Sequence, residues 1–125
     1  MPTRSMINGE LYEIRAWGDD KDCQLLEFMT ELAGHTSRDA ERIYYLMRRT
    51  ADIGPPRNNL QCRYIGDDLF EFKAPGGTRV LWFYDEGFTI VCTHAFVKKS
   101  QRTPKDQKNR AIDIRRKYFE EKWGT

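Results

Sequence analysis

The fold is decided by residues 67–104, DDLFEFKAPGGTRVLWFYDEGFTIVCTHAFVKKSQRTP. Apolar and polar side chains alternate at its start, and β-branched and aromatic residues dominate the rest, which is typical of strands. Proline fixes one backbone dihedral and glycine accepts positive φ, so the Pro and Gly positions indicate tight turns. The stretch therefore predicts an antiparallel meander with strands at 69–73, 79–84 and 88–97 and turns at Pro75–Gly77 and Asp85–Gly87.

The rest of the chain adds helices before and after this meander. The predicted elements are a strand at 11–17, a helix at 21–33, a second helix from Thr36 or Ser37 to Gly54, a short edge segment within 57–66, and a helix opened by Thr103, Pro104 and Asp106. Helices separated from an antiparallel run predict an α+β domain. We expect one domain over residues 1–125, with about four antiparallel strands, an N-terminal helical hairpin and a C-terminal helix.

Composition excludes several classes of protein. The chain has 125 residues, of which 39% are hydrophobic and 32% charged, which suits one domain with one core. No apolar run approaches the roughly 18 residues that span a bilayer, and the N-terminus has no apolar signal region. A cytoplasmic location without a membrane partner is therefore expected. The chain has three widely spaced cysteines, Cys23, Cys62 and Cys92, and no two of them form a C-x-x-C pair. Buried free thiols are therefore expected rather than a zinc site.

Positive charge is concentrated at the C-terminal end of the chain. Residues 98–125 hold ten basic and four acidic groups, a net charge of +6, although the whole chain carries only +2. This asymmetry favours a surface for a polyanion. The alternative is a solvated helix whose charges only keep it soluble.

Three segments resemble one known family. The segments D-L-F-E-F-K, T-R-V-L-W-F-Y and H-A-F-V-K-K-S-Q-R-T-P are similar to the phage Gp49-like and HigB-type branch of the RelE superfamily, the toxins of type II toxin–antitoxin modules. The resemblance implies a RelE-like fold, a twisted antiparallel sheet with two helices on one side. It also implies an endoribonuclease that cuts mRNA, commonly on the ribosome. The resemblance further implies a cognate antitoxin as partner, often of the helix-turn-helix type. The protein would contact DNA only indirectly, through that antitoxin.

RNA cleavage sets clear chemical demands on such a site. The 2′-hydroxyl must lose its proton, the crowded phosphorane must be stabilised, and the 5′-oxygen must be protonated. Fixed cations stabilise the phosphorane, and a histidine or a lysine of lowered pKa can transfer the protons. No metal and no cofactor are expected.

Seven residues are candidates for this work. The predicted catalytic residues are Arg79, Lys98 and His94, and the predicted substrate-binding residues are Lys73, Lys99, Arg102 and Arg63. Arg79 would clamp the phosphate, and alternation along the strand puts His94 and Lys98 on one face. The competing interpretations are a salt bridge from Arg79 to Glu71 or Asp85, solvated lysines at the strand end, and a structural histidine.

Aromatic residues and two other functions remain as alternatives. Trp82 or Tyr84 could stack on a base, although central-strand aromatics are usually core, and Tyr118 is expected to pack. One alternative function is a non-catalytic phage or prophage module that binds nucleic acid with the basic C-terminal face. The other is a domain whose basic helix binds an acidic protein.

Overall fold

The computed structural model describes residues 2–35, 37–98 and 103–124. In chain order these residues form β1 (Thr3–Asn8), β2 (Glu13–Trp17), α1 (Gln24–His35), α2 (Ser37–Ile53), β3 (Cys62–Gly66), β4 (Leu69–Lys73), β5 (Thr78–Asp85), β6 (Thr89–Val97) and α3 (Lys105–Trp123). The predicted meander corresponds to β4, β5 and β6, which pair antiparallel as expected.

The predicted four-stranded antiparallel sheet is wrong. The described strands form one six-stranded mixed sheet in the order β1-β2-β6-β5-β4-β3, and β2 runs parallel to β6. A β-hairpin, β1–β2, precedes α1 and α2, so the N-terminal part is more than a helical hairpin. The parallel pair arises because α1 and α2 carry the chain to the far edge, from which four antiparallel strands return to lie beside β2.

The two faces of the sheet carry different helices. On one face, Phe72, Val80 and Trp82 pack with residues of α1 and α2 such as Leu25 and Ile43. On the other face, which we call the α3 face, Leu69, Leu81, Phe83, Val91 and Phe96 pack against Ala111, Tyr118 and Phe119. Burying both faces of a sheet beneath helices gives a three-layer α+β domain.

A β-bulge in β6 decides which side chains reach the α3 face. Cys92 pairs with Trp82 but His94 pairs with Leu81, so Thr93 is the extra residue. The bulge places His94 and Phe96 on the face that carries Leu81, whereas regular alternation would turn them to the α1–α2 face. The hydroxyl of Thr93 lies 3.2 Å from the carbonyl of Leu81.

Two expectations from composition concern the core and the membrane. Cys23, Cys62 and Cys92 are free and buried, as predicted. None of the helices in the described part of the chain is long and apolar enough to cross a membrane.

Candidate active site

A buried carboxylate lies at the centre of a group of cations on the α3 face. Glu71 in β4 is fully buried and accepts a hydrogen bond from Arg63 Nε at 3.1 Å. The hydroxyl of Thr103, just before α3, donates to its other oxygen at 2.8 Å. Arg79 Nε lies 3.9 Å from the Glu71 carboxylate. One negative charge thus holds two guanidinium groups together.

Arg79 is fixed in place by backbone oxygens of the turn that precedes it. Its Nη1 donates to the carbonyls of Ala74 at 2.8 Å and Thr78 at 3.0 Å. Its Nε is buried and has no hydrogen-bond partner within the described residues. The Arg79 side chain is only 12% exposed, and burial lowers its pKa against the opposing effect of Glu71. The guanidinium is therefore preorganised through its Nη1 group.

The turn itself is held by a carboxylate from the opposite layer. Asp39 of α2 is buried and accepts hydrogen bonds from the backbone amides of Gly76 at 2.9 Å and Thr78 at 3.2 Å. A Cβ on Gly76 would lie 2.8 Å from the Asp39 oxygens, and one on Gly77 would lie 2.6 Å from the Lys98 carbonyl. Only glycine fits this closely at both positions. The contacts fix the turn that carries Arg79.

Two lysines complete the cluster. Lys98 is only 6% exposed, and burial lowers its pKa; Glu71 opposes that shift, while Arg79, Arg63 and Lys73 add to it. Burial also lowers the pKa of Lys73, whose Nζ donates to the Asn59 carbonyl at 3.1 Å. A lower pKa increases the fraction of a lysine that is present as the neutral amine at a given pH. We call Arg63, Glu71, Lys73, Arg79 and Lys98 the cation cluster.

The structure brings together four of the seven predicted site residues. Arg63, Lys73, Arg79 and Lys98 belong to the cation cluster, whereas Lys99 and Arg102 lie outside the described residues. The predicted alternative for Arg79, an ion pair with Glu71, is present, but Asp85 pairs with Lys122 instead. Arg79 therefore forms the ion pair with Glu71 and is at the same time part of the cation cluster.

His94 is set apart from the open part of this cluster. It is fully buried, with Nε2 at 2.8 Å from Gln107 Oε1 of α3 and Nδ1 at 3.0 Å from Thr93 Oγ1. Burial lowers its pKa to about 4, against the opposing hydrogen bond with Gln107. A neutral imidazole that donates from Nε2 to Gln107 accepts at Nδ1 from the Thr93 hydroxyl, whose single proton is then not available to the Leu81 carbonyl. His94 thus links the β6 bulge to α3.

The depressed pKa of His94 predicts acid sensitivity. Between pH 6.5 and about 4 the unfolded chain binds a proton that the folded protein does not, so stability falls as pH falls through this window. The loss is about 3 kcal/mol if the whole shift is expressed. Urea unfolding at pH 7 and pH 4.5 should show a shallower pH dependence for His94→Gln than for the native protein. The exposed His35→Gln variant is the control and should show the native pH dependence of stability. A pH dependence in His94→Gln equal to that of the native protein, or one in His35→Gln as shallow as that of His94→Gln, would contradict this role.

The basic C-terminal helix is not a bare cationic face. Ion pairs join Lys108 to Asp67, Arg115 to Asp68, Lys117 to Asp113 and Lys122 to Asp85, and Arg116 is paired with Asp113 and Glu120. Three acidic partners, Asp67, Asp68 and Asp85, lie outside residues 98–125 and offset half of the +6 charge. The cation cluster on the sheet is a second concentration of positive charge, and the ion pairs of α3 weaken both alternatives that rely on the basic helix.

The aromatic candidates lie away from the cation cluster. Trp82 is fully buried in the core, which agrees with the core interpretation. Tyr84 is 36% exposed and contacts Tyr12 and Phe70 on the α1–α2 face. Tyr118 packs on Phe83 and donates a hydrogen bond to Asp85, at the other end of the sheet.

Sequence reasoning missed three residues of the site. The sequence predicts Glu71 only as a possible salt-bridge partner of Arg79 and Thr103 only as the opening of a helix, and it does not predict Asp39 as a site residue. The cap of α3 is Pro104, without a side-chain hydrogen bond, because the Thr103 hydroxyl is directed to Glu71. The local sequence carries no signal for this burial, because a carboxylate between Phe70 and Phe72, which pack in the core on one face, points to the opposite face of the strand.

The structure is a small α+β domain with a group of cations fixed around a buried carboxylate. The family model described as Phage derived protein Gp49-like (DUF891) matches residues 30–116, more than half of the chain. The chain therefore belongs to this phage-derived family, a toxin family of the RelE superfamily, which confirms the resemblance. The matched range includes β3 to β6 and every residue of the cation cluster. A search among curated proteins found no match.

Proposed function

We propose that this phage-derived toxin-like protein is a metal-independent endoribonuclease that cleaves mRNA at the cation cluster. The observation that carries the proposal is the buried Glu71 carboxylate surrounded by Arg63, Lys73, Arg79 and Lys98, which leaves a net positive site. Cations fixed before the reaction stabilise a developing phosphorane without reorganisation. Family membership supports the toxin class, and the proposal adds the reaction.

The more exposed cations would meet the substrate first. Arg63 and Lys73 lie at the outer part of the cluster and bind the flanking backbone phosphates. Arg79 binds the scissile phosphate through its guanidinium. Lys98, the least exposed, removes the 2′-hydroxyl proton in its neutral form, because neighbouring cations and burial favour that form.

The reaction balances without another reactant. Lys98 takes the 2′-hydroxyl proton, the 2′-oxygen bonds to phosphorus, and the bond to the 5′-oxygen breaks. That oxygen takes a proton from water, to which the Lys98 ammonium returns its own. The products are a 2′,3′-cyclic phosphate and a 5′-hydroxyl. His94 acts as a positioning residue in this scheme, since its hydrogen bond to Gln107 holds α3 over the sheet. The expected partners are ribosome-bound mRNA and an antitoxin.

The proposal is tested by mapping transcript ends after induction in cells. The native protein should produce new 5′-hydroxyl ends and arrest growth, whereas Lys98→Met should lose both by at least tenfold, since one general base contributes about 10²–10⁴-fold. Lys117→Met, which alters an α3 lysine paired with Asp113, is the matched control and should behave as native. RNA binding without new ends, even on translating ribosomes, would favour the non-catalytic alternative.

A further inference from the structure

A second basic surface lies on the other side of the turn that carries Arg79. A cavity of about 500 Å³ is lined by Arg38, Glu41, Arg42, Tyr45 and Pro75. The four α2 residues are spaced three or four apart, so they form one face of that helix. We call this cavity the α2 pocket, and its volume falls within the range of small-ligand sites.

The α2 pocket contains the groups that bind a nucleotide. Tyr45 is 52% exposed, and the Arg42 guanidinium lies 5.6 Å from its ring centroid. An exposed ring beside a guanidinium stacks on unpaired bases, and arginines bind the phosphate. Glu41 adds a carboxylate that accepts hydrogen bonds from a base edge. Guanine is the base that presents two adjacent donors, N1–H and the N2 amino group, to such a carboxylate.

The α2 pocket and the cation cluster share one rigid turn. Pro75 lines the pocket, while the adjacent Ala74 carbonyl binds Arg79 at 2.8 Å. Asp39, between Arg38 and Glu41 in sequence, holds the same turn through Gly76 and Thr78. Two residues of chain span at most about 7 Å, so Pro75 lies within that distance of Lys73 in the cluster. The two sites are therefore neighbours at the same turn, on opposite faces of the sheet.

We propose that the α2 pocket binds a guanine nucleotide of single-stranded RNA close to the phosphate held by the cation cluster. This inference rests on the proposed function for its substrate class. Tyr45 stacks on the base, Glu41 accepts from its Watson–Crick edge, and Arg38 and Arg42 bind its phosphate.

The test uses fluorescently labelled 2′-O-methyl pentamers, which lack the nucleophile and cannot be cleaved. UUGUU should bind more tightly than UUAUU or UUUUU, and GMP alone should bind much more weakly than UUGUU. Tyr45→Ala should weaken UUGUU binding about tenfold, within the range measured for loss of one stacking contact. Tyr44→Ala, an equally exposed neighbour outside the pocket, should bind as native. Glu41→Gln should remove the preference for guanine.

Several results would overturn the inference. They are equal affinities of Tyr45→Ala and Tyr44→Ala, equal affinities for the three pentamers, and binding of GMP as tight as that of UUGUU. The proposed function is judged separately by cleavage of unmodified RNA. A protein that cleaves with an unchanged KM in Tyr45→Ala refutes the pocket and keeps the enzyme. Tyr45-dependent binding without any cleavage keeps the pocket and refutes the enzyme.

Discussion

Arg79→Ala is expected to lower kcat for RNA cleavage by about 10²–10³-fold, the cost of removing one preorganised transition-state donor. Arg79→Lys should recover little, because a single ammonium cannot hold the Ala74 and Thr78 carbonyls and present a second, fixed amino group to a phosphate. The KM should change less than kcat, since the phosphorane bears charge that the ground state lacks.

The measurement is the initial rate on ribosomes carrying a defined message, and on the same RNA free in solution. Arg116→Ala is the matched control, because this exposed arginine is paired only within α3 in the described part of the chain. The Arg116→Ala protein should cleave RNA at the native rate. Thermal unfolding of each variant separates loss of chemistry from loss of fold. A well-folded Arg79→Ala protein with native kcat would refute the assigned role.

Glu71→Ala is expected to destabilise the fold by about 3–5 kcal/mol, the usual cost of removing one partner from a buried ion pair. Arg63, Arg79 and Lys98 would repel one another, and the Thr103 hydroxyl would lose its acceptor. This is a large part of the 5–15 kcal/mol typical of a whole domain. Glu71→Gln should lose less, because the amide oxygen keeps an acceptor for Thr103.

Urea unfolding measures this effect, with Glu86→Gln in an exposed turn as the control, expected to change stability by no more than about 0.5 kcal/mol. Phosphate should stabilise Glu71→Ala more than the native protein, because an anion can replace the lost charge. In Glu71→Gln the pKa of Lys98 should fall further, so any alkaline rise in activity should move to lower pH. A loss below 1 kcal/mol without a phosphate effect would contradict the central role of Glu71.

The meander was predictable because the residues that specify its strands and turns are close together in the sequence. Alternation along β4, the Pro75–Gly77 turn and the β-rich run of β5 are all visible in a short window of sequence. The β1 strand was not predictable, since Ile7 is its one buried residue and an edge strand needs no apolar face. The parallel pairing of β2 with β6 depends on contacts between distant parts of the chain, which periodicity cannot report.

The site was predictable in its residue types but not in its arrangement. Arg79 and Lys98 were singled out from their positions in the meander, and alternation alone would have put them on opposite faces of β5 and β6. The bulge at Thr93 brings both side chains to one face of the sheet. No local sequence pattern predicts this bulge. Glu71 was missed because a single carboxylate in an alternating strand is usually solvated, and only the surrounding tertiary contacts show that it is buried.

The parallel pairing of β2 with β6 also has a consequence for the nascent chain. Glu13 of β2 pairs with Thr89, and Arg79 lies in one cluster with Lys98, so neither the sheet nor the cation cluster can form completely until β6 and Lys98 have been synthesised. Contacts between such distant segments slow folding, because a long loop must be ordered first. An interrupted synthesis that ends before β6 would leave a fragment without this central strand and without Lys98 of the cation cluster.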